Sequence, residues 1–164
     1  MQEMDQGLVD KVLGGLIAPS HNFLERAYVD GSCTEGVFDI HKRPQYIHQI
    51  RNLTSWDAEP IIAGLGFPSV AYWISQDRFD FVGEKEKENP VRTLFDRVKL
   101  GEVHKYFPKS IFVFKKNRPD DPLLVHARMS IGPFEEREKD YSATVDINLN
   151  QGAQRWQVEV LYRK

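Results

Sequence analysis

The sequence predicts an α+β fold in which N-terminal helices pack on a curved, mainly antiparallel C-terminal sheet. Two observations support this prediction. Apolar residues recur at three- and four-residue spacing near the start of the chain, which is typical of the buried face of a helix. The last third contains four strand candidates separated by short, turn-rich segments, and such connections favour antiparallel neighbours.

The length and composition fit one domain that covers residues 1–164. Apolar residues make up 41% of the chain and charged residues 28%, which are ordinary values for a globular protein. A chain of this size buries roughly two-thirds of its unfolded surface, so a core can form without metal ions or disulfides. We find no internal repeat and no low-complexity linker.

The charge balance disfavours some classes of partner, and the cysteine content indicates a compartment. The net charge of −2 gives no overall attraction to nucleic acid or anionic membranes. Cys33 is the single cysteine, which fits a reducing compartment. Asp5 and Asp10 stand where a signal peptide needs basic residues, and no window approaches the roughly 18 apolar residues of a membrane span. We therefore expect a cytoplasmic protein.

The first thirty residues predict one kinked helix or two consecutive helices. The first apolar face comprises Leu8, Val9, Val12, Leu13, Leu16 and Ile17. Pro19 ends or kinks this helix, and Ser20 can cap a second one. The second apolar set comprises Phe23, Leu24, Ala27 and Tyr28. The segment "DGS" at 30–32 is typical of a turn and predicts the end of this second helix.

The middle of the chain mixes both kinds of element. An extended piece, "GVFDIHK", precedes a helix that we expect to begin at Pro44. Residues 60–82 are rich in β-branched and aromatic residues punctuated by glycine and proline, which indicates strands and turns. Asn89 and Pro90 then predict the cap and first residue of a helix, and Gly101 is placed to end it.

The C-terminal third gives the clearest pattern. Its strand candidates are "SIFVFKK", "LLVHARMSI", "YSATVDINL" and "RWQVEVLYR". In the last three, apolar and polar residues alternate, so one face of the sheet needs a cover that the preceding helices can supply. In the order of its elements the chain resembles the layout of a cystatin-like or nuclear-transport-factor-2-like cone. That resemblance implies a layout alone, since such folds host enzymes, binding proteins and assembly modules.

One candidate site is a pocket between the helices and the sheet, where acid–base residues could move protons. Its catalytic candidates are Asp39, His41 and His48, and its candidate walls are Tyr46, Tyr72 and Trp73. Asp39 and His41 project to the same face if "FDIH" is a strand. The alternative is that the aromatic residues belong to the core and the polar residues to a connector.

A second candidate site is the polar face of the last three strands. His126, Arg128, Asp146 and Glu159 alternate with the apolar residues there. They could form an interaction surface, since arginine is enriched at interface hot spots. The alternative is cross-strand pairing, which contributes roughly 0.2–1 kcal/mol per pair.

Other chemistries are disfavoured by spacing. The side chains around Cys33 and His41 could ligate a metal, but the paired spacings of zinc sites are missing. Cys33 lies in a predicted turn, where a structural thiol is the simpler interpretation. No glycine-rich phosphate loop is present, so we expect neither a metal nor a cofactor. Two short basic segments are offset by the balanced charge, which disfavours nucleic acid.

These observations favour a small non-catalytic binding or assembly domain. We expect it to bind a protein partner or a second copy of itself through the sheet, or a small ligand in the pocket beneath. The alternative is a cofactor-independent lyase, isomerase or hydrolase with acid–base residues in that pocket. An enzyme needs a titratable group facing an accessible cavity, whereas a binding module needs a complementary surface.

Overall fold

The structure, a computed structural model, describes residues 1–43, 53, 55–100, 103–112, 120–121, 123–150 and 154–164. Its helices are α1 (Gln6–Leu16), α2 (Ser55–Ser75), α3 (Glu84–Glu88) and α4 (Pro90–Lys99). Its strands are β1 (Gln2–Glu3), β2 (Leu24–Asp30), β3 (Cys33–Asp39), β4 (Val103–Phe112), β5 (Leu124–Ile131), β6 (Glu135–Glu136), β7 (Asp140–Leu149) and β8 (Gln154–Arg163). Short 3-10 helices lie at Pro19–His21 and Ile40–Lys42. The predicted α+β fold is confirmed.

The strands form one open antiparallel sheet in the order β1-β2-β3-β5-β7-β8-β4, and β6 pairs with β7 beside this path. The predicted meander is confirmed for β5, β7 and β8, which are neighbours in this order. The strand β4 instead pairs with β8 and lies at one edge of the sheet. The N-terminal part of the chain contributes β1, β2 and β3, so the sheet is not built from C-terminal strands alone.

The predicted alternation separates the two faces of the sheet. The buried inward-facing apolar residues of the last strands are Val125, Ala127, Met129, Ile131, Ala143, Val145, Ile147, Leu149, Trp156, Val158 and Tyr162. The residues between them are mostly exposed or half-buried, as expected for an antiparallel sheet with one solvated face. The apolar face therefore needs a cover, and the long helix α2 supplies it.

The helix α2 occupies residues 60–75 of the segment 60–82, where the sequence predicted strands and turns, and a turn follows the helix. Its 21 residues extend for about 31 Å at 1.5 Å per residue. It is apolar almost all round because it packs against the sheet on one side and against α1 and α4 on the other. Such a segment lacks the apolar stripe that identifies a helix on the surface. Pro60 and Pro68 within it are also residues that usually indicate turns or the ends of helices. The prediction of strands there was wrong.

The predicted second helix at 20–28 is also wrong, since β2 begins at Leu24 and a short 3-10 helix, Pro19–His21, precedes it. Between Leu24 and Arg26 the pairing of β2 with β3 shifts by one residue, which is a β-bulge. The inward residues are consequently Leu24, Ala27 and Val29, opposite Phe38, Gly36 and Thr34. The first spacing of three mimics a helix. Gly31, with φ +55°, turns the chain into β3.

The helices α1 and α4 follow the sequence prediction. The carboxylate of Asp5 accepts a hydrogen bond from the Leu8 backbone N–H at 2.7 Å and caps α1. Asn89 caps α4 in the same way, with Pro90 at the first helical position. The helix expected from Pro44 lies outside the described residues. Among the helices that the structure describes, none has the length and apolar character needed to cross a membrane.

Candidate functional site

An apolar hollow lies between α2, α4 and the inner face of the sheet. It is a cavity of about 380 Å³. Its lining comprises Glu59, Ile62, Ala63, Gly66, Phe67, Val70 and Trp73 of α2, Leu94 and Val98 of α4, Met129 and Ile131 of β5, Val145 and Ile147 of β7, and Val158 and Val160 of β8. The walls are almost entirely apolar, so an apolar molecule could enter and be desolvated there.

Glu59 is the charged residue in this lining. It lies near the start of α2, and the residue is exposed, so its carboxylate stands at the mouth of the cavity. A carboxylate there can accept a hydrogen bond from a ligand or take up a proton. Glu59 was not among the predicted site residues, because the helix that carries it was not predicted. Within an apolar helix, a glutamate would have been the signal.

A second hollow, which we call the α1–α2 groove, adjoins the cavity. It has a volume of about 520 Å³ and lies between the end of α1 and the first turns of α2. Its lining comprises Leu16, Ile17, Ala18, His21, Glu59, Pro60, Ala63 and Phe67. Three of these residues, Glu59, Ala63 and Phe67, also line the cavity. The two hollows therefore share one wall.

Of the predicted aromatic walls, Trp73 does line the cavity. Its ring is almost fully buried, and its indole N–H donates to the Gly31 carbonyl at 3.0 Å. This bond joins α2 to the turn between β2 and β3. Tyr72 is half-buried and packs against the core. Tyr46 and His48 lie outside the described residues.

The predicted pair Asp39 and His41 is brought together, but on the surface. The strand β3 ends at Asp39, and the following 3-10 turn brings His41 Nδ1 to 2.8 Å from Asp39 Oδ1. His41 Nε2 lies 3.3 Å from Asp121 Oδ2. All three side chains are partly exposed, and none is among the residues that line the cavity. This pair therefore ties the end of β3 to the segment before β5.

The predicted interaction residues form separate cross-strand contacts on the outer face. Arg128 Nε lies 3.1 Å from Cys33 Sγ, and its Nη1 lies 3.7 Å from Glu35. The pKa of Arg128 lies above its ordinary value because of the hydrogen bond to Cys33 and the neighbouring charges. Asp146 accepts from the Gln157 amide at 3.1 Å. These contacts agree with the cross-strand alternative.

Glu159 and His126 complete the outer-face set. Glu159 accepts from the Ser142 hydroxyl and from Arg137, both at 2.7 Å. These two bonds lower the pKa of the Glu159 carboxyl, with the Ser142 bond the larger cause. His126 is exposed, and its backbone N–H donates to Asn150 Oδ1. The role of these residues in binding a partner stays a prediction.

Metal and thiol chemistry receive no further support from the geometry. Within the ranges that the structure describes, no group of three or more His, Cys, Asp or Glu residues is placed to hold a metal ion. Cys33 is half-buried at the start of β3 and contacts Arg128. It lies in a strand and not in the turn that the sequence suggested.

Comparisons with known proteins leave the family open. No protein-family model matches the chain, and no curated protein matches it. A solved structure of the dehydratase heterocomplex ApeI:P from Xenorhabdus doucetiae is similar over 95% of this chain and 90% of that chain, with 11% identity and a TM-score of 0.35. A similarity this weak does not carry a function to this chain.

Proposed function

We propose that this protein is a small binding domain that takes an apolar ligand into the cavity between α2, α4 and the sheet. The observation that carries the proposal is the cavity itself. Its volume of about 380 Å³ falls among small-molecule sites, which span about 300–1,000 Å³. Protein interiors ordinarily contain few voids larger than a water molecule, so a hollow of this size is available to a ligand.

The chemistry of the lining supports the same proposal. Val145, Ile147 and Val158 are almost fully buried at the floor of the cavity, where water finds no hydrogen-bond partner. Empty apolar cavities stay dry and take up apolar molecules. Each methylene that a ligand buries there contributes about 0.8 kcal/mol. The ligand class is therefore apolar, whatever polar group it carries at the mouth.

A fluorescence titration with the neutral dye N-phenyl-1-naphthylamine tests this proposal. Val160 lines the cavity, so Val160→Phe should fill part of it and raise the dye's dissociation constant by about tenfold or more, since 1.4 kcal/mol corresponds to tenfold. The matched control is Val37→Phe, because Val37 is half-buried on the outer face of β3. Equal binding by both variants would contradict the proposal.

The second part of the proposal is self-association through the sheet. The strand β4 has ten residues and ends the strand order. Its second edge pairs with no other strand of the described ranges, and an open edge is a template for a strand of another copy. Pro108 lacks an N–H and stands at the irregularity between Tyr106 and Lys109. Pairing would therefore use one half of β4.

Sedimentation velocity over a wide concentration range tests self-association, and amide hydrogen exchange locates it. We expect a dimer whose β4 amides become more protected as the concentration rises. A monomer at every concentration would contradict this part of the proposal. Arg128→Ala is the comparison, because loss of the dimer in that variant would assign the contact to the outer face instead of the edge.

An acid–base enzyme is the second candidate function. The observation that favours it is the Glu59 carboxylate beside an apolar cavity, an arrangement found for general bases. The protein would be incubated with a cell extract in D2O, and the extract analysed by mass spectrometry. Deuterium incorporation that Glu59→Gln abolishes, while that variant still binds the dye, supports the enzyme. Dye binding without any Glu59-dependent incorporation supports the binding domain.

A further inference from the structure

The cavity and the α1–α2 groove share one stripe of α2. The shared residues, Glu59, Ala63 and Phe67, are four residues apart and therefore lie on the same face of the helix. We propose that the two hollows form one binding passage for a linear amphiphile. Its alkyl chain lies in the cavity and crosses at Ala63, and its polar head lies in the groove between Glu59 and His21. This inference rests on the proposed function of the cavity.

The shape of the two hollows favours a chain over a compact ligand. A rigid ring system can fill the cavity of about 380 Å³ or the groove of about 520 Å³, but only a flexible chain can occupy both around the helix. Ala63 stands at the middle of the shared stripe, where its methyl group leaves more room than the side chains of Glu59 and Phe67. The crossing point is therefore at the smallest side chain of the three.

The charges select the head group. Glu59 offers a carboxylate that accepts hydrogen bonds and repels another carboxylate. His21 also lines the groove and is exposed, with Nδ1 2.9 Å from the Ser20 hydroxyl oxygen. The remaining walls, among them Leu16 and Ile17, are apolar. A head that donates hydrogen bonds, such as a hydroxyl or an ammonium, fits the groove better than an acid.

A chain-length series tests the passage with calorimetric titrations of 1-hexanol, 1-octanol, 1-decanol and 1-dodecanol below their solubility limits. We expect the dissociation constant to fall by about fourfold per methylene through the whole series. A series that stops gaining affinity before 1-dodecanol would overturn the passage while leaving the apolar cavity site standing, and continued gain supports the passage only if Ala18→Trp removes it at 1-dodecanol. Failure of every alcohol to bind would overturn the proposed function as well, so the two failures are distinguishable.

Two variants separate the crossing from the groove. Ala63→Leu narrows the crossing, so the gain from added methylenes should end at the short alcohols. Ala18→Trp fills the groove without changing α2, because Ala18 is exposed and lines the groove but not the cavity. It should leave 1-hexanol binding unchanged and weaken 1-dodecanol. If both variants bind 1-dodecanol like the unmodified protein, the passage is refuted. If Ala63→Leu does not fold, the binding of 1-dodecanol to Ala18→Trp alone decides whether the passage exists.

The head group is tested at pH 8 with dodecylamine and dodecanoate below their micelle concentrations and with 1-dodecanol below its solubility limit. We expect dodecanoate to bind more weakly than the alcohol by up to about fivefold, because two carboxylates about 4 Å apart in water repel by about 1 kcal/mol. Glu59→Gln should remove the difference. Equal binding of all three ligands to the unmodified protein would overturn the assignment of the head group to Glu59.

Discussion

The ring of Phe38, on β3, fills the space beside Gly64 of α2. A Cβ atom added at Gly64 would lie 2.9 Å from Phe38 Cε1, and one added at Gly36 would lie 2.7 Å from Cε2 of the same ring. Phe38 is fully buried, so it cannot move aside into solvent. The two glycines therefore allow α2 to lie close against the sheet. The distance between α2 and the sheet in turn sets the position of the cavity walls.

We expect Gly64→Ala to destabilise the protein. Overpacking a buried site costs about 1–3 kcal/mol, and the better helix propensity of alanine recovers at most about 1 kcal/mol of it. Gly66→Ala is the matched control in the same helix, because its Cβ would meet Met129 Cε at 3.7 Å, an ordinary contact. Urea denaturation of both variants measures the difference. Equal stability of the two variants would show that Phe38 does not limit the approach of the helix.

Gly14 and Gly15 are neighbours in α1 with opposite surroundings. A Cβ at Gly14 would meet nothing within 4 Å, whereas one at Gly15 would lie 2.2 Å from Phe95 Cζ. Gly14→Ala should therefore stabilise the protein by about 0.5–1 kcal/mol, and Gly15→Ala should lose that gain by displacing the ring. Thermal unfolding measures the stability of the two variants. A Gly15→Ala variant more stable than Gly14→Ala would contradict the prediction.

The buried ion pair of Arg43 and Asp57 fixes the start of α2. Arg43 Nη1 donates to Asp57 Oδ2 at 2.9 Å, and the two side chains are 1% and 2% exposed. Asp57→Ala should destabilise the protein by about 3–5 kcal/mol, because it leaves a buried guanidinium without this carboxylate. The double variant Arg43→Met, Asp57→Leu should recover part of the loss. Guanidinium denaturation measures both, and a double variant less stable than Asp57→Ala would contradict the explanation.

The parts of the fold that the sequence predicted correctly are those with a local signal. The helix α4 has a capping residue, a first-position proline and an apolar stripe around Leu94. The strands β5, β7 and β8 alternate cleanly because one face is buried and the other solvated. Each of these patterns is complete within about ten residues, so it does not depend on the rest of the chain.

The missed elements depend on tertiary structure. The bulge before Arg26 changes the spacing of the inward-facing residues in β2. This bulge is recognised only from the pairing of β2 with β3. The helix α2 has no polar stripe because other elements cover it on both sides, so its sequence gives no period. The cavity draws its walls from α2, α4 and three strands. Its residue Glu59 could therefore not be selected before the helix was known.

Glu86 joins α3 to α4 and to the last strand through Arg97. Arg97 Nη2 donates to Glu86 Oε1 at 2.8 Å, and its Nη1 donates to the Arg163 carbonyl. Arg97 also stacks over the ring of Tyr162 at 4.5 Å. Burial raises the pKa of the Glu86 carboxyl, but the hydrogen bonds from Arg97 and the Gly83 N–H outweigh this effect and hold the pKa below its ordinary value.

This lowered pKa makes the contribution of Glu86 to stability dependent on pH. Because the unfolded carboxyl binds a proton first as the pH falls, the stabilisation is complete above the unfolded pKa and is lost as the pH falls through the folded one. Glu86→Gln should therefore cost about 1 kcal/mol at neutral pH for this partly exposed pair, and the difference should shrink as the pH falls from neutral into acid through the lowered pKa of the folded protein. Glu84→Gln is the control, since Glu84 is 88% exposed and lies 3.3 Å from Lys87; it should change stability little at any pH. Urea denaturation across this range measures both variants, and a Glu86→Gln deficit that persists in acid would assign the loss to packing instead of charge.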